Sequence, residues 1–233
     1  MARPIRISPS LMCADFIDLK RTLDLFSQER IEPLHIDIMD GHYVPNFTLG
    51  IDYCLSVARY TALALDIHLM IENVDDYIPS FAAIRDSVVT IHSETCYHPL
   101  RSIELIRRAG ARAGIAIDPS LPIESYKHLI PAVDQVCIMT VNPGYAGQKL
   151  IPQTLEKIRE LAELCGERGY DIDIEVDGNV SWTNMPLMID AGASVLVAGT
   201  SSLFDKSSDL CDNLARMRSV IHECKDRRAV SIC

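Results

Sequence analysis

The sequence predicts an α/β fold, a single-domain (β/α)8 barrel of the TIM type, from three observations. Short apolar segments rich in β-branched residues recur along the chain, and each precedes a loop and a longer segment with helical periodicity. Eight such units in 233 residues give about 29 residues per unit, close to the thirty or so of a compact βα unit. The segment after the first strand, Ser8-Pro-Ser-Leu-Met, has no GxGxxG pattern, which disfavours an open, doubly wound sheet.

Each predicted element is bounded by turn residues or by helix signals. The predicted strands are Ile5–Ser8, Pro33–Ile38, Ala64–Leu69, Ser87–Ile91, Arg112–Ile117, Gln135–Met139, Ile172–Val176 and Val195–Ala198. The predicted helices are Ile17–Gln28, Tyr53–Arg59, Asp76–Arg85, Leu100–Ala109, Ile123–Leu129, Pro152–Arg168, Trp182–Ala191 and Leu210–Cys224. Pro152 is a suitable first helical residue, and Gly110 and Gly192 suit positions just beyond helix ends. No Ser/Gly-rich linker interrupts the series, so residues 1–233 are predicted to form one catalytic domain.

The composition disfavours several classes of partner. The chain has 22 Lys and Arg against 32 Asp and Glu, a formal net charge of −10, whereas nucleic-acid binding requires a basic surface. Apolar runs such as Val195–Ala198 are far shorter than the roughly 18 residues of a membrane span. The eight cysteines form no CxxC pair, and the first residues contain no apolar secretory segment. We therefore expect a cytoplasmic protein with no nucleic-acid or membrane partner.

Polar side chains lie at the ends of three predicted strands, and in each strand they occupy alternate positions. Because alternate residues of a strand share a face, positions 35 and 37 of the second strand, 66 and 68 of the third, and 175 and 177 of the seventh form rows. If these rows face inward, four side chains converge at the mouth of the barrel, where such barrels carry their active sites: His35, Asp37, His68 and Asp177. Each alone would more often be a hydrogen-bonded core group, but the four together predict a site for one divalent metal ion. The set suits Zn²⁺, Mn²⁺, Fe²⁺ or Co²⁺, and it leaves the identity of the metal, Mg²⁺ included, undetermined.

Four methionines lie at or just beyond strand ends, namely Met12, Met39, Met70 and Met139. Met39 and Met70 follow the His/Asp positions on the same faces of their strands. A single methionine usually fills irregular core space. Four around one site predict an apolar lining that excludes water from the metal.

Three polar or glycine-containing loops follow the last strands. Thr140–Gln148 carries Gly144 and Gly147, which permit a close approach of backbone N–H groups to an anion. Asp177-Gly-Asn179 and Gly199-Thr-Ser-Ser202 follow the seventh and eighth strands, where barrels often bind phosphate. Together the three loops predict a phosphate site beside the metal site.

A metal site flanked by two carboxylates and a phosphate site suits proton transfer on a phosphorylated ketose. A cation bound to the carbonyl oxygen and a neighbouring hydroxyl acidifies the α C–H bond, because it stabilises the enediolate. Of Asp37 and Asp177, one could remove this proton and the other return one on the opposite face, which inverts the carbon without a redox cofactor. Schiff-base chemistry is disfavoured because no lysine lies at a predicted strand end, and no Cys or Ser nucleophile stands beside a histidine.

Five segments resemble the ribulose-phosphate 3-epimerase family, in order and over essentially the whole chain: Ser8–Leu11, His35–Asn46, Asp66–Met70, Val141–Gln148 and Glu175–Gly178. The resemblance implies a (β/α)8 barrel, a divalent metal held by the four side chains named above, and Asp37 and Asp177 as the acid–base pair. It implies a substrate cavity lined by Ser10, Met39, Met70 and Met139. It further implies a phosphate held by Gly144, Tyr145, Ala146, Gly147, Gly178, Asn179, Gly199, Thr200 and Ser201.

The chain departs from the pentose-phosphate pattern of that family at Met12-Cys13, Asn179 and Gly199-Thr200. These positions look more like the branch that acts on a hexose phosphate, which favours conversion of D-allulose 6-phosphate to D-fructose 6-phosphate. Conversion of D-ribulose 5-phosphate to D-xylulose 5-phosphate is the alternative, and a non-catalytic sugar-phosphate-binding barrel is the alternative of another class. We expect a homo-oligomer with a small ketose phosphate as substrate. No functional role is assigned to His92, Glu94 or Trp182.

Overall fold

Within residues 3–31 and 33–230, which the computed structural model describes, eight parallel strands form the predicted closed barrel. The strands are β1 (Arg6–Pro9), β2 (Leu34–Asp40), β3 (Phe47–Thr48), β4 (Leu65–Met70), β5 (Val88–His92), β6 (Arg112–Ile117), β7 (Gln135–Met139), β8 (Asp173–Asp177) and β9 (Val195–Ala198). β1 pairs with β9, and a bridge between Ser10 and His35 closes the ring between β1 and β2. Only the two-residue β3 is antiparallel among the described strands, and it pairs with β2.

The helices cover the outside of the barrel. They are α1 (Leu19–Gln28), α2 (Ile51–Tyr60), α3 (Ile78–Ala82), α4 (Pro99–Ala109), α5 (Thr154–Arg168), α6 (Asn184–Ala191) and α7 (Leu210–Val230). Their buried apolar residues pack against the outer face of the strands in one continuous core. α4 ends at Gly110, which adopts a left-handed conformation with φ 107° and occupies the position just beyond the helix that the sequence predicts.

Two predicted helices are wrong in extent or type. The segment predicted as Asp76–Arg85 contains a 3-10 turn, Val74–Asp76, followed by the single α-helical turn α3. The segment predicted as Ile123–Leu129 forms the 3-10 turns Ile123–Tyr126 and Ile130–Ala132. Pro131 lies in the second turn, where its ring and its missing N–H prevent one continuous helix from Ile123 through Ala132.

The register between strands places the predicted rows at one level. Across β2 and β4, His35 pairs with Asp66 and Asp37 pairs with His68. Across β7 and β8, Met139 pairs with Asp177. The polar rows of neighbouring strands therefore meet at the carboxyl end of the barrel instead of being offset along its axis.

The amino end of the barrel holds a cluster of paired charges, which we call the floor cluster: Arg3, Arg6, Arg112 and Asp173. The Asp173 carboxylate is 7% exposed and lies 2.6 Å from Arg6 Nη2 and 2.8 Å from Arg112 Nη2. Arg3 Nη1 contacts the other carboxylate oxygen. Burial opposes ionisation of this acid, but the hydrogen bond from Arg112 and the charge of Arg6 lower the pKa of Asp173.

No helix in the described residues is long and apolar enough to cross a membrane. Six cysteines of the same residues are free thiols, namely Cys13, Cys54, Cys96, Cys137, Cys165 and Cys211. This agrees with the absence of a disulfide framework that the cysteine spacing predicts.

Candidate active site

The structure brings the four predicted metal-ligating side chains together at the carboxyl end of the barrel. One atom from each of His35, Asp37, His68 and Asp177 lies within 4.8 Å of the others. His35 Nε2 is 3.1 Å from Asp37 Oδ1, and His68 Nδ1 is 3.5 Å from the same oxygen and 3.6 Å from Asp177 Oδ2. β2, β4 and β8 supply these groups, so the cluster exists only because the barrel closes.

The donor atoms of this cluster fit a divalent cation. His68 Nδ1 is buried and has no hydrogen-bond partner, although buried polar atoms nearly always have one. It faces the oxygens of Asp37 and Asp177 at distances beyond a normal hydrogen bond. Two imidazole nitrogens and two carboxylate oxygens converging on one point form a donor set that a borderline divalent ion prefers.

Electrostatics keeps a negative charge in this buried cluster. Burial opposes ionisation of Asp37, but the charges and hydrogen bonds of His35 and His68 lower the pKa of its carboxyl well below the usual range. Burial likewise disfavours a charged imidazole, yet the neighbouring carboxylates of Asp177 and Asp37 raise the pKa of His68 to about 9. The cluster therefore attracts positive charge, whether from protons or from a metal.

A second buried layer lies beneath the cluster and holds His35 in place. His35 Nδ1 lies 2.7 Å from Asp66 Oδ2, so that its N–H donates to this carboxylate, while Nε2 points into the cluster and faces Asp37 Oδ1. Gln135 Nε2 donates to Asp66 Oδ1 at 3.0 Å and to Glu175 Oε2 at 2.9 Å. Burial and the adjacent Asp66 raise the pKa of Glu175 well above its usual value. His35, Asp66 and Glu175 also bring donor atoms within 4.8 Å of one another, and Glu175 Oε1 has no hydrogen-bond partner. Because the raised pKa favours a neutral Glu175 and Gln135 binds one oxygen of each carboxylate, we interpret this layer as a support for the site above it.

The four residues predicted to line a substrate cavity lie around one pocket. Ser10, Met39, Met70 and Met139 line one pocket together with Asp37 and Asp177. Ser10 Oγ donates to Asp37 Oδ2 at 2.9 Å, which leaves Oδ1 of that carboxylate facing the imidazoles. Met39, Met70 and Val44 pack into an apolar cluster that is separate from the main core. The two imidazoles are fully buried.

The predicted phosphate loops line the same pocket. All nine residues are present: Gly144, Tyr145, Ala146, Gly147, Gly178, Asn179, Gly199, Thr200 and Ser201. Only glycine fits at position 178, because φ is 114° and an added Cβ would lie 2.5 Å from Val141 Cγ2. A glycine at this position lets the backbone after β8 pass close to the loop after β7.

Asn179 ties the phosphate loops to one another. Its φ of 46° is left-handed, a conformation that asparagine tolerates better than most residues. Its side-chain oxygen accepts from the backbone N–H of Leu150 at 3.2 Å and from Asn184 Nδ2 at 2.7 Å. Its amide nitrogen donates to Ser201 Oγ at 3.1 Å. One side chain thus connects the loops that follow β7, β8 and β9.

A cover over the pocket is formed where the loop after β2 meets the loop after β7. Asn46 Nδ2 donates to the carbonyl of Gly144 at 2.8 Å, and the hydroxyl of Tyr145 donates to the carbonyl of Pro45 at 2.7 Å. Both predicted motifs, His35–Asn46 and Thr140–Gln148, therefore contact each other. Sequence spacing alone gives no indication of this contact.

Sequence reasoning missed His92, which the structure places directly behind the metal set. His92 Nε2 lies 2.9 Å from His68 Nε2, and Tyr43 Oη lies 2.8 Å from His92 Nδ1. A signal was present, because His92 ends β5 two residues after Thr90, which pairs with His68. The reasoning applied to β2, β4 and β8, that alternate residues of a strand share its inward face, would have placed His92 beside the cluster.

The fold and the site define a class of protein. It is a TIM barrel that carries, at one end, a His/Asp cluster suited to a cation and glycine-containing loops suited to a phosphate. Solved barrels share the fold at low sequence identity. A mutant tryptophan synthase α-subunit from Pyrococcus furiosus has a TM-score of 0.66 at 12% identity, and its superposition covers 95% of this chain and 100% of the α-subunit. A thiamine phosphate pyrophosphorylase from the same organism has a TM-score of 0.62 at 11% identity, over 95% of this chain and 96% of its own.

Sequence comparison is more specific. The model of the Ribulose-phosphate 3 epimerase family matches residues 6–204. A ribulose-phosphate 3-epimerase of Bacillus subtilis is 42% identical in an alignment that covers 84% of this chain and 91% of the relative. The ribulose-phosphate 3-epimerase of Escherichia coli K12 is 39% identical, over 86% of this chain and 89% of the relative. A third, from Methanocaldococcus jannaschii, is 38% identical over 87% and 85%. The chain belongs to the ribulose-phosphate 3-epimerase family. It is therefore an isomerase, a sugar-phosphate 3-epimerase.

Proposed function

We propose that this protein inverts C3 of D-ribulose 5-phosphate to give D-xylulose 5-phosphate, with a divalent metal ion as cofactor. The observation that carries the proposal is the convergence of Asp37 Oδ1 and Asp177 Oδ2 on the unpartnered Nδ1 of His68. The relatives named above share the name ribulose-phosphate 3-epimerase, which supports a pentose phosphate as substrate.

Asp37 and Asp177 would transfer the protons. β2 and β8, which carry them, are not neighbours in the sheet, so the two carboxyl groups approach the pocket from different sides. One carboxylate removes the C3 proton, and the other, initially protonated, donates its proton to the opposite face of C3. The C3–H bond is broken on one face and formed on the other, and the two acids exchange protonation states.

His35, His68, Asp37 and Asp177 would hold the metal. When bound, a divalent cation supplies positive charge that acidifies C3–H and stabilises negative charge on the adjacent oxygens. Asp66 keeps the proton of His35 on Nδ1, so Nε2 remains available. Met39, Met70 and Met139 exclude water from the proton-transfer region, where general acids and bases in a low dielectric interact more strongly.

The three loops after β7, β8 and β9 would bind the phosphate. Their glycines and Asn179 line the pocket, and in the proposed complex their backbone N–H groups would donate to the phosphate. Holding the phosphate there fixes the distance of C3 from the two carboxylates, because the carbon chain between them has a set length.

D-Allulose 6-phosphate remains a second candidate substrate, although the names of these relatives do not support the preference for it. The residues that favoured it, Met12, Cys13, Asn179 and Thr200, all line the pocket. Because Asn179 and Thr200 lie on the phosphate side, they bear on the length of sugar that fits.

The decisive experiment follows solvent deuterium into C3 of both ketose phosphates, with and without a chelator, and compares kcat/KM for the two. We expect exchange and turnover with D-ribulose 5-phosphate, abolished by the chelator and restored by added metal. Higher kcat/KM for D-allulose 6-phosphate would reassign the substrate. Tight binding of both compounds with no exchange, in protein shown to contain metal, would instead support a non-catalytic binding barrel.

A further inference from the structure

Behind the four proposed metal ligands, a hydrogen-bonded chain of three side chains runs from the buried His68 through His92 to the half-buried Tyr43. His68 Nε2 faces His92 Nε2 at 2.9 Å, and His92 Nδ1 faces the Tyr43 hydroxyl at 2.8 Å. Both histidines are fully buried, so neither ring has bulk water as an alternative partner. The positions of the protons along this chain are therefore set by the chain itself.

Two nitrogen atoms that face each other at hydrogen-bond distance hold one proton between them. For His68 Nδ1 to present its lone pair to a cation, the ring proton must lie on Nε2 and be donated to Nε2 of His92. The proton of neutral His92 then lies on Nδ1 and is donated to the Tyr43 oxygen. Any other arrangement puts a proton on His68 Nδ1 or leaves two acceptors facing each other.

The surroundings of His92 favour this arrangement. Glu94 Oε1 lies 4.0 Å from His92 Nδ1, and a carboxylate at this distance stabilises a proton on that nitrogen. Tyr43 is held at the other end, because its backbone N–H donates to Asp40 Oδ1 at 3.0 Å. The same carboxyl group of Asp40 accepts from the backbone of His42 and Glu72, so the turn that presents Tyr43 is fixed.

We propose that His92 and Tyr43 are positioning residues that select the tautomer of His68 with its Nδ1 lone pair aimed at the divalent cation. The inference rests on the proposed metal site. His35 has a corresponding arrangement, in which Asp66 binds the ring nitrogen that faces away from the cluster. The two imidazoles are thus fixed differently, one by a carboxylate and the other by a histidine–tyrosine pair.

The experiment compares metal-stripped wild-type protein with His92→Leu, His92→Gln, Tyr43→Phe and Tyr126→Phe. Affinity for Co²⁺ or Zn²⁺ is measured by competition with a chelator of known affinity, and ¹⁵N-histidine NMR reports the protonated nitrogen of His68. We expect His92→Leu to weaken metal binding about 10- to 100-fold. His92→Gln should stay within about 3-fold of wild type, since its amide oxygen can accept from Nε2–H of His68.

Tyr43→Phe removes the acceptor at the far end of the hydrogen-bonded chain, and we expect metal affinity to fall about 5-fold. This is less than for a residue bonded directly to a metal ligand, because Tyr43 acts through His92. Tyr126→Phe is the matched control, since Tyr126 is not bonded to either histidine. It contacts Ser93 and Oε2 of Glu94, not the Oε1 that lies near His92, so metal affinity should not change. If His92→Leu fails to fold, the contrast between Tyr43→Phe and Tyr126→Phe decides the matter.

Two kinds of result, one in metal affinity and one in the protonation of His68, would overturn the inference. One is unchanged metal affinity in folded His92→Leu, or equal affinities in the two tyrosine variants. The other is an NMR spectrum of the metal-loaded protein with His68 protonated on Nδ1. Failure of the wild type to bind a divalent metal would be a different outcome, because it would remove the metal site of the proposed function itself.

Discussion

The two ends of the barrel both bury acidic side chains, but they neutralise them differently. In the floor cluster, both oxygens of Asp173 face guanidinium groups, from Arg3 on one side and from Arg6 and Arg112 on the other. At the carboxyl end, Asp37 and Asp177 face imidazoles, and Nδ1 of His68 has no hydrogen-bond partner.

This difference separates a stabilising cluster from a functional one. A buried acid surrounded by arginines is satisfied within the protein and gains nothing from a ligand. At the carboxyl end, His68 Nδ1 has no hydrogen-bond partner, and it lies 3.5 Å from Asp37 Oδ1 and 3.6 Å from Asp177 Oδ2. These atoms can still bind a cation. Perturbed acids occur at both ends, and so do buried nitrogens without a hydrogen-bond partner, His68 Nδ1 at one end and Arg6 Nη2 at the other. What distinguishes the active site is the convergence of imidazole and carboxylate donor atoms on one point.

The largest expected effect comes from the acids of the carboxyl end. Asp37→Asn and Asp177→Asn should each lower kcat about 1000-fold or more, because each removes a proton-transferring group and a proposed metal ligand. Steady-state kinetics and circular dichroism measure turnover and folding. Asp212→Asn, at an exposed position of α7, is the control and should retain full activity. A near-normal rate in either active-site variant would contradict the two-acid scheme.

The second effect concerns the atom without a partner. His68→Ala should reduce metal affinity about 100-fold while the thermal transition changes little, since one of four proposed ligands is lost. Metal content after dialysis, together with a melting curve, checks both parts. The exposed His222→Ala serves as control. Unchanged metal content would exclude His68 from the ligand set.

The third prediction concerns the floor cluster. Asp173→Asn should lower the free energy of unfolding by about 2 kcal/mol at pH 7, because it leaves arginines without their buried partner. The pKa of Asp173 is lowered in the folded protein, so its contribution is present above the ordinary aspartate pKa of about 3.9 and is lost as the pH falls below it.

Urea unfolding at pH 7 and near pH 3 tests this difference. The gap between wild type and Asp173→Asn should shrink at the lower pH, and kcat should be unaffected. Asp171→Asn is the matched control at the same end of the barrel, since Asp171 is 99% exposed and its pairing with Arg3 should contribute little. A gap that does not depend on pH would mean that shape, and not charge, explains the loss.

The smallest effect is expected within the carboxyl end, on its phosphate side. Asn179→Gly keeps the left-handed backbone but removes the bonds that join the three loops, so KM should rise about 5-fold with kcat nearly unchanged, the pattern of lost uniform binding. Inhibition by inorganic phosphate should weaken in parallel. Asn73→Gly, another left-handed asparagine, is the control. A fall in kcat with unchanged KM would place Asn179 in the proton-transfer step instead.

Much of this arrangement was predictable from the sequence. The apolar runs predicted the eight barrel strands, and the parity of His35, Asp37, His68 and Asp177 placed these side chains on inward faces. The helix after β6 was mispredicted because apolar spacing over a short segment does not distinguish an α-helix from successive 3-10 turns. His92 was missed because its strand carries one histidine without a second charged partner in the row, so its meaning depends on a neighbour from another strand.

The sequence by itself determined the βα alternation and the direction in which each polar side chain points, since both follow from local periodicity along one strand. Only the tertiary structure decided that Ser10 bridges to His35, that Tyr43 reaches His92, and that Asn179 joins the phosphate loops. Those contacts join residues far apart in the chain, and their geometry depends on strand register and barrel closure, which are properties of the whole packed sheet.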